Sequence, residues 1–149
     1  MSLTLIIVTY NSGHVIEKCI SSLESFKNSV LIVDNNSLDG TAMKVKRCGV
    51  QVIQNSANLG FGGAANRGAR EASGQILSFL NPDCETAPDF FLEGISALDG
   101  NPKRCVVPRV IRHQNMVTDG RQFGYTRRKL FCDIIQTNCG ENRFTKWIN

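Results

Sequence analysis

The chain has 149 residues, 42% of them hydrophobic and 20% charged, which suits about one globular domain with its own core and excludes a disordered or fibrous protein. Its longest apolar stretch near the N-terminus, residues 5–8, is far below the ~20 residues of a membrane span and follows no basic segment, so a soluble, cytoplasmic protein without a signal peptide is expected. The net charge of +4 hides an asymmetry: residues 1–102 carry 7 basic and 10 acidic side chains, whereas residues 103–149 carry 10 basic and 3 acidic. The run Arg127-Arg128-Lys129 offers a contact for an anionic acceptor, a membrane surface or nucleic acid, although such runs are more often solvated faces. Cys19, Cys48, Cys84, Cys105, Cys132 and Cys139 contain no C-x-x-C pair, so reduced, buried thiols are expected rather than a disulfide framework. Cys132, Cys139 and His113 match no usual zinc spacing.

Residues 3–9 form an apolar, β-branched run ending at Tyr10-Asn11-Ser12-Gly13, which predicts a buried strand and a turn. Val15, Ile16, Cys19, Ile20, Leu23 and Phe26 then recur at helical spacing, with Asn11 or Ser12 as the N-cap. Residues 30–33 predict a second strand, residues 41–48 a short helix closed by Gly49, and residues 50–54 a third strand. Residues 58–66 read as a glycine-rich loop feeding a helix that runs to Ala72 and stops at Gly74, followed by a strand over 76–80. Thr86 as N-cap, Pro88 and Asp89 open another helix with Phe91, Leu92, Ile95 and Leu98 on its apolar face. Val106, Val107 and Val110 suggest one more strand. Regular alternation to about residue 111 predicts an α/β fold with a mostly parallel, doubly wound sheet and helices on both faces.

The polar clusters at Thr9-Tyr10-Asn11, residues 34–41, residues 58–66 and Asn81-Pro82-Asp83 all follow strands. In a parallel sheet they converge on the edge where such folds bind ligands. Each alone reads as turn chemistry, since Asx turns account cheaply for Asp34 and Asp39; four on one edge make that reading weak. Asp83 is a lone carboxylate at a strand end, a position that suits a divalent metal sharing a bound phosphate. Gly60 to Ala65 fit G-x-G-x-x-A, yet that pattern belongs to the first βα turn, which here lacks such glycines, so an NAD(P)-linked oxidoreductase is the lesser alternative. His14 and His113 have no acid/base partner in sequence, and no nucleophile-elbow or Walker pattern is present.

The ordered set Val8-Thr9-Tyr10-Asn11, Val33-Asp34-Asn35-Asn36-Ser37 with Asp39-Gly40-Thr41, Asn58-Leu59-Gly60 through Asn66-Arg67-Gly68, and Leu80-Asn81-Pro82-Asp83 resembles an inverting family 2 glycosyltransferase of rhamnosyltransferase-like type. The likeness spans roughly residues 3–112 and implies a GT-A fold, a Rossmann-like nucleotide-binding half joined to an acceptor-binding half. It implies residues 1–112 as the nucleotide-sugar half and 113–149 as the start of an incomplete acceptor region. By resemblance, Thr9, Tyr10 and Asn11 line the nucleotide pocket, Asp34 bonds a pyrimidine base, and Asn58, Gly60 and Asn66 shape the sugar-diphosphate loop. Asn81 and Asp83 stand where relatives carry D-x-D, with Asp83 the ligand to Mg²⁺ or Mn²⁺. The implied partners are a UDP- or dTDP-sugar and a saccharide or lipid-linked acceptor in surface polysaccharide synthesis, with no nucleic acid and with peripheral association at the inner membrane face. The family's acidic general base has no match, so the catalytic residue is unassigned and the chain resembles one cut after its donor half. A non-catalytic nucleotide-sugar-binding module is the alternative, and apolar surface bared at such a boundary favours a homodimer.

Overall fold

The computed structural model describes residues 2–87, 89–101 and 104–106. They fall into two compact units that divide between Pro88 and Asp89. In the first, strands β1 (Leu3–Thr9), β2 (Val30–Asp34), β3 (Gln51–Gln54) and β4 (Ile76–Leu80) form one sheet in the order β3-β2-β1-β4, each neighbouring pair parallel. Helices α1 (Ile16–Ser22), α2 (Thr41–Arg47) and α3 (Gly60–Glu71) make the crossovers.

The chain steps outward from β1 to β2 to β3 and then returns past β1 to β4. Crossovers of this kind are right-handed, so reversing the step puts α3 on the opposite face from α1 and α2. The contacts agree: α1 meets α2, α2 lies on β2 and β3, and α3 lies on β1 and β2. With both faces covered, the two central strands are continuous apolar runs. Leu5, Ile6, Ile7, Ile32 and Val33 are wholly shielded from solvent, each contributing ~1.5–3 kcal/mol on transfer grounds.

Several local expectations give way to packing. The stretch foreseen as a glycine-rich loop is helical from Gly60 onward, despite the ~1 kcal/mol that each helical glycine costs. Ala64, Ala65, Gly68 and Ala69 form its buried stripe. A Cβ at Gly68 would stand 2.7 Å from Ile6 Cγ2 and 2.9 Å from Val33 Cγ2, so the small residues let the helix lie close on the sheet. The single helix foreseen over residues 15–26 ends at Ser22 and continues as a 3-10 helix, Glu24–Ser29, because fully buried Leu23 leaves helical dihedrals and tightens the chain into β2.

Neither Asn11 nor Ser12 caps α1 through its side chain. The Ser12 carbonyl accepts the Val15 and Ile16 amides at 3.1 and 3.0 Å instead. Thr86 caps no helix: it bonds Ser22, and Asp89 holds the N-cap position of α4 (Phe90–Leu98). In the second unit, α4 ends where Asp99 turns left-handed at φ 52°, and Arg104 reaches the Ala97 carbonyl at 3.0 Å. Of the strand expected from Val106, Val107 and Val110, only Val106 is described and it lies in no strand; the remainder, the boundary at residue 112, the basic run and the acceptor region lie outside the described residues. Among the described residues, no helix is long and apolar enough to cross a membrane.

Candidate functional site

Because all four strands are parallel, the turns after them share one edge of the sheet. The strand order reverses between β1 and β4, which marks the crevice where open α/β sheets take ligands. The register Ile7↔Leu80 sets Thr9 and Tyr10 level with the first residues after β4, and Thr9 lies directly beside Asp34. A shallow hollow lined by Thr4, Asn28, Ser29, Gln51 and Ser73 sits at the opposite edge, the end such sheets do not use.

The turns after β1 and β2 are stitched together. Asp34 is wholly buried; its Oδ1 accepts the Thr9 hydroxyl at 2.8 Å and the Ser37 hydroxyl at 2.5 Å, and its Oδ2 accepts the Ser37 amide at 3.0 Å. Three donors offset the cost of withdrawing this carboxylate from water. Asn11 takes a left-handed φ of 50°, which its short polar side chain tolerates. Its amide donates to Ser37 Oγ at 2.9 Å while its Oδ1 accepts the Leu38 amide at 3.0 Å. Deeper in, the Ser12 amide donates to Thr41 Oγ1 at 2.9 Å and the Gly13 amide to Asp39 Oδ2 at 2.8 Å. The Thr41 hydroxyl foremost, with the Gly13 and Thr41 amides, holds the Asp39 carboxyl below its ordinary value of 3.8.

A second network fixes the start of α3. Asn35, 2% exposed, accepts Asn55 Nδ2 at 2.7 Å and the Leu59 amide at 3.3 Å through its Oδ1, and donates Nδ2 to the Gly60 carbonyl at 3.1 Å. Arg67 donates to Asn55 Oδ1 and to the Gln54 carbonyl. Asn58 Oδ1 accepts the Gly60 amide at 2.8 Å, supporting the positive φ of 69° there. Asn66 lies half-buried within α3. The sequence assigns no site role to Asn35, Asn55, Arg67 or Ser37; for Asn35 and Asn55 the available signal is a polar side chain directly after a strand.

At β4, exposed Asn81 offers its carbonyl to the Cys84 amide at 3.2 Å and to Cys19 Sγ at 3.8 Å. Burial foremost, then the neighbouring Cys84 and the Asp83 and Glu85 carboxyls, pushes the Cys19 thiol up to about 12. Burial also raises Cys84. Of the four cysteines among the described residues only Cys19 is buried; Cys48, Cys84 and Cys105 are half-buried. Asp83 is exposed, and among the described residues no three or more Asp, Glu, His or Cys side chains are grouped so as to hold a metal ion. One hard, solvent-accessible carboxylate at the switch point fits Mg²⁺ or Mn²⁺ completed by phosphate oxygens and water rather than a closed protein cage. Tyr10 and Leu38, on the turns after β1 and β2, and Leu59 and Phe61, at the start of α3, expose apolar surface.

Thr9 and Asp34 are thus in contact, Asn11 joins them through Ser37, and Asn58 and Gly60 bond each other. The Gly60 to Ala65 pattern lies in α3 after the edge strand β3, not at the β1 turn, so it lacks the placement a dinucleotide site requires.

Residues 4–146 match the family model of glycosyl transferase family 2. Glycosyltransferase AglE of Haloferax volcanii is 31% identical over 107 residues, covering 65% of this chain and 35% of that protein. Among solved structures, a mannosyltransferase from Pyrobaculum calidifontis in complex with GDP-Man and Mn²⁺ superposes with a TM-score of 0.66 at 24% identity, over 77% of this chain and 37% of that one. Glucosyl-3-phosphoglycerate synthase from Mycobacterium tuberculosis, in complex with Mn²⁺, UDP and glucosyl-3-phosphoglycerate, gives 0.65 at 21% identity, over 91% and 53%. The structural likenesses define the α/β, Rossmann-like GT-A fold. The chain belongs to glycosyltransferase family 2, and it spans about a third of the curated relative's length.

Proposed function

We propose that this chain forms the donor-binding part of an inverting glycosyltransferase that passes a sugar from a nucleoside-diphosphate sugar to a saccharide or lipid-linked acceptor. The observation that carries the reading is that four polar turns share one edge of the sheet, with the exposed carboxylate of Asp83 at its β1–β4 switch point. The turns bearing Thr9, Tyr10, Asn11 and Asp34 receive the nucleoside, with the exposed Tyr10 ring available to a base. The turn at Asn58 and Gly60, with Asn66 further along α3, faces the sugar diphosphate. Asn81 meets the donor beside Asp83, and Asp83 would hold a Mg²⁺ or Mn²⁺, which would neutralise charge developing on the departing diphosphate. The two solved relatives were captured with Mn²⁺, one with GDP-Man and one with UDP, which supports a metal and a nucleotide donor.

The motif pattern favours UDP- or dTDP-sugars, a rhamnosyltransferase-like type and surface polysaccharide synthesis. In the conformation described, Asp34 is covered by Ser37, so a direct bond from Asp34 to a base requires Ser37 to turn aside. The basic excess of residues 103–149 supports a peripheral seat on an anionic membrane face. Calorimetric titration with UDP, dTDP and GDP, with and without Mn²⁺, tests the reading. Pyrimidine nucleotides bind more tightly with metal if it holds; binding of none of the three sinks it. Sugar transfer by this chain to any acceptor excludes a purely non-catalytic module.

A further inference from the structure

We propose that α1 braces the metal-binding turn, with Ser22 and Thr86 as positioning residues that hold Asp83 beneath the donor diphosphate. The inference rests on the reading of Asp83 given above. The turn leaves β4 immediately after Leu80, whose pairing with Ile7 fixes its first end to the sheet. It closes on itself through the Cys84 amide and the Asn81 carbonyl at 3.2 Å. Its second end is fixed by two bonds that Thr86 donates to Ser22: the Thr86 amide to Ser22 Oγ at 3.1 Å, and Thr86 Oγ1 to the Ser22 carbonyl at 3.3 Å. The Ser22 hydroxyl proton is committed to the Cys19 carbonyl at 2.8 Å, which leaves its oxygen free to accept from Thr86. Asp83 therefore sits between two anchors, Leu80 and Thr86, each three residues away.

Two further contacts join α1 to the same segment, but they differ in weight. Cys19 is buried and its Sγ lies 3.8 Å from the Asn81 carbonyl. The Lys18–Glu85 pair at 3.4 Å joins two exposed side chains, and such pairs contribute little. The Ser22–Thr86 clasp is the contact that fixes the backbone. It matters here because Asp83 is the one acid of the Asn81-Pro82-Asp83 turn and among the described residues no three or more ligand-type side chains are grouped so as to hold a metal ion. With one protein carboxylate, any freedom left in the turn must be frozen on binding and is subtracted from the affinity. A turn held in advance from both ends avoids that cost.

The test is titration of the 149-residue chain with UDP, with and without Mn²⁺, together with water-proton relaxation of Mn²⁺ as a direct reading of the bound ion. Ser22→Ala is expected to leave metal-free UDP affinity within about twofold and to lower the Mn²⁺ enhancement about tenfold, the scale of one or two lost hydrogen bonds. Ser22→Thr, which keeps the hydroxyl, restores it, and Asp83→Ala abolishes it. Thr86→Val, which removes only the hydroxyl and keeps the amide, gives a smaller loss in the same direction and serves if Ser22→Ala does not fold. Full Mn²⁺ enhancement in Ser22→Ala and Thr86→Val, or equal weakening with and without metal, overturns the brace while leaving Asp83 as ligand. An unchanged enhancement in Asp83→Ala overturns the Asp83 reading itself.

Discussion

Replacing Asn35 with alanine removes the hub between β2, β3 and the start of α3, and the size of the effect follows from which partners water can reach. The Leu59 amide and the Gly60 carbonyl belong to exposed residues, so water replaces Asn35 there at small net cost. Asn55 is 4% exposed and donates Nδ2 to Asn35 at 2.7 Å. Its stranded donor costs about 1–3 kcal/mol, and the space left by the truncated side chain about 1 kcal/mol more. The expected loss is about 2–4 kcal/mol. Urea unfolding followed by circular dichroism measures it, and the double-mutant cycle with Asn55→Ala isolates the pair. Removing both partners removes the stranded donor, so Asn35→Ala and Asn55→Ala are expected to couple by about 1–2 kcal/mol. A single-variant loss below about 0.5 kcal/mol, or strict additivity in the cycle, refutes the network as the element that holds the Gly60 turn.

Gly68→Val drives a branched side chain against Ile6 and Val33, both wholly buried and stiff, and is expected to cost about 2–3 kcal/mol by overpacking; an unchanged urea midpoint contradicts the close seating of α3. The Asp39 carboxyl is held low in the folded chain, so its contribution is fully present above its ordinary value of 3.8 and is lost as pH falls through the lower folded value. Asp39→Asn is therefore expected to flatten the acid limb of stability against pH, and an identical limb in both proteins refutes the clamp on Gly13 and Thr41. Buried Cys19, with its thiol pushed up to about 12, is expected to resist iodoacetamide at pH 8 in the folded chain and to react after denaturation. Rapid native labelling at Cys19, read by peptide mass spectrometry, contradicts its burial.

Strand positions were legible because β1, β2 and β4 are short apolar runs broken by Asn, Asp and Gly, and two-sided burial leaves that pattern plain. Their order was not, since nothing in residues 76–80 says which side of β1 they join; the return crossover is settled by how α3 packs. The helical start at Gly60 was hidden because propensity sees costly glycines, whereas the sheet sees the clearance they give Ile6 and Val33. Thr86 and Ser12 look like caps from sequence because hydroxyls before an apolar run usually cap; here the Ser12 hydroxyl bonds the Tyr10 backbone two residues back, and Thr86 bonds Ser22 across the fold. Four of the site's turns were readable as polar clusters after strands. The buried Asn35–Asn55 pair was not, because an asparagine in such a run is indistinguishable from a turn residue until its partner, 20 positions away in the chain, is in place.

The most direct measurement is the affinity of the intact chain for UDP with and without Mn²⁺, in the natural sequence and in Asp83→Ala. A donor site built on the β1–β4 switch point predicts UDP binding that Mn²⁺ strengthens at least tenfold, with that gain lost in Asp83→Ala while the metal-free affinity persists. Failure to bind UDP, or binding that ignores both the metal and Asp83, contradicts it.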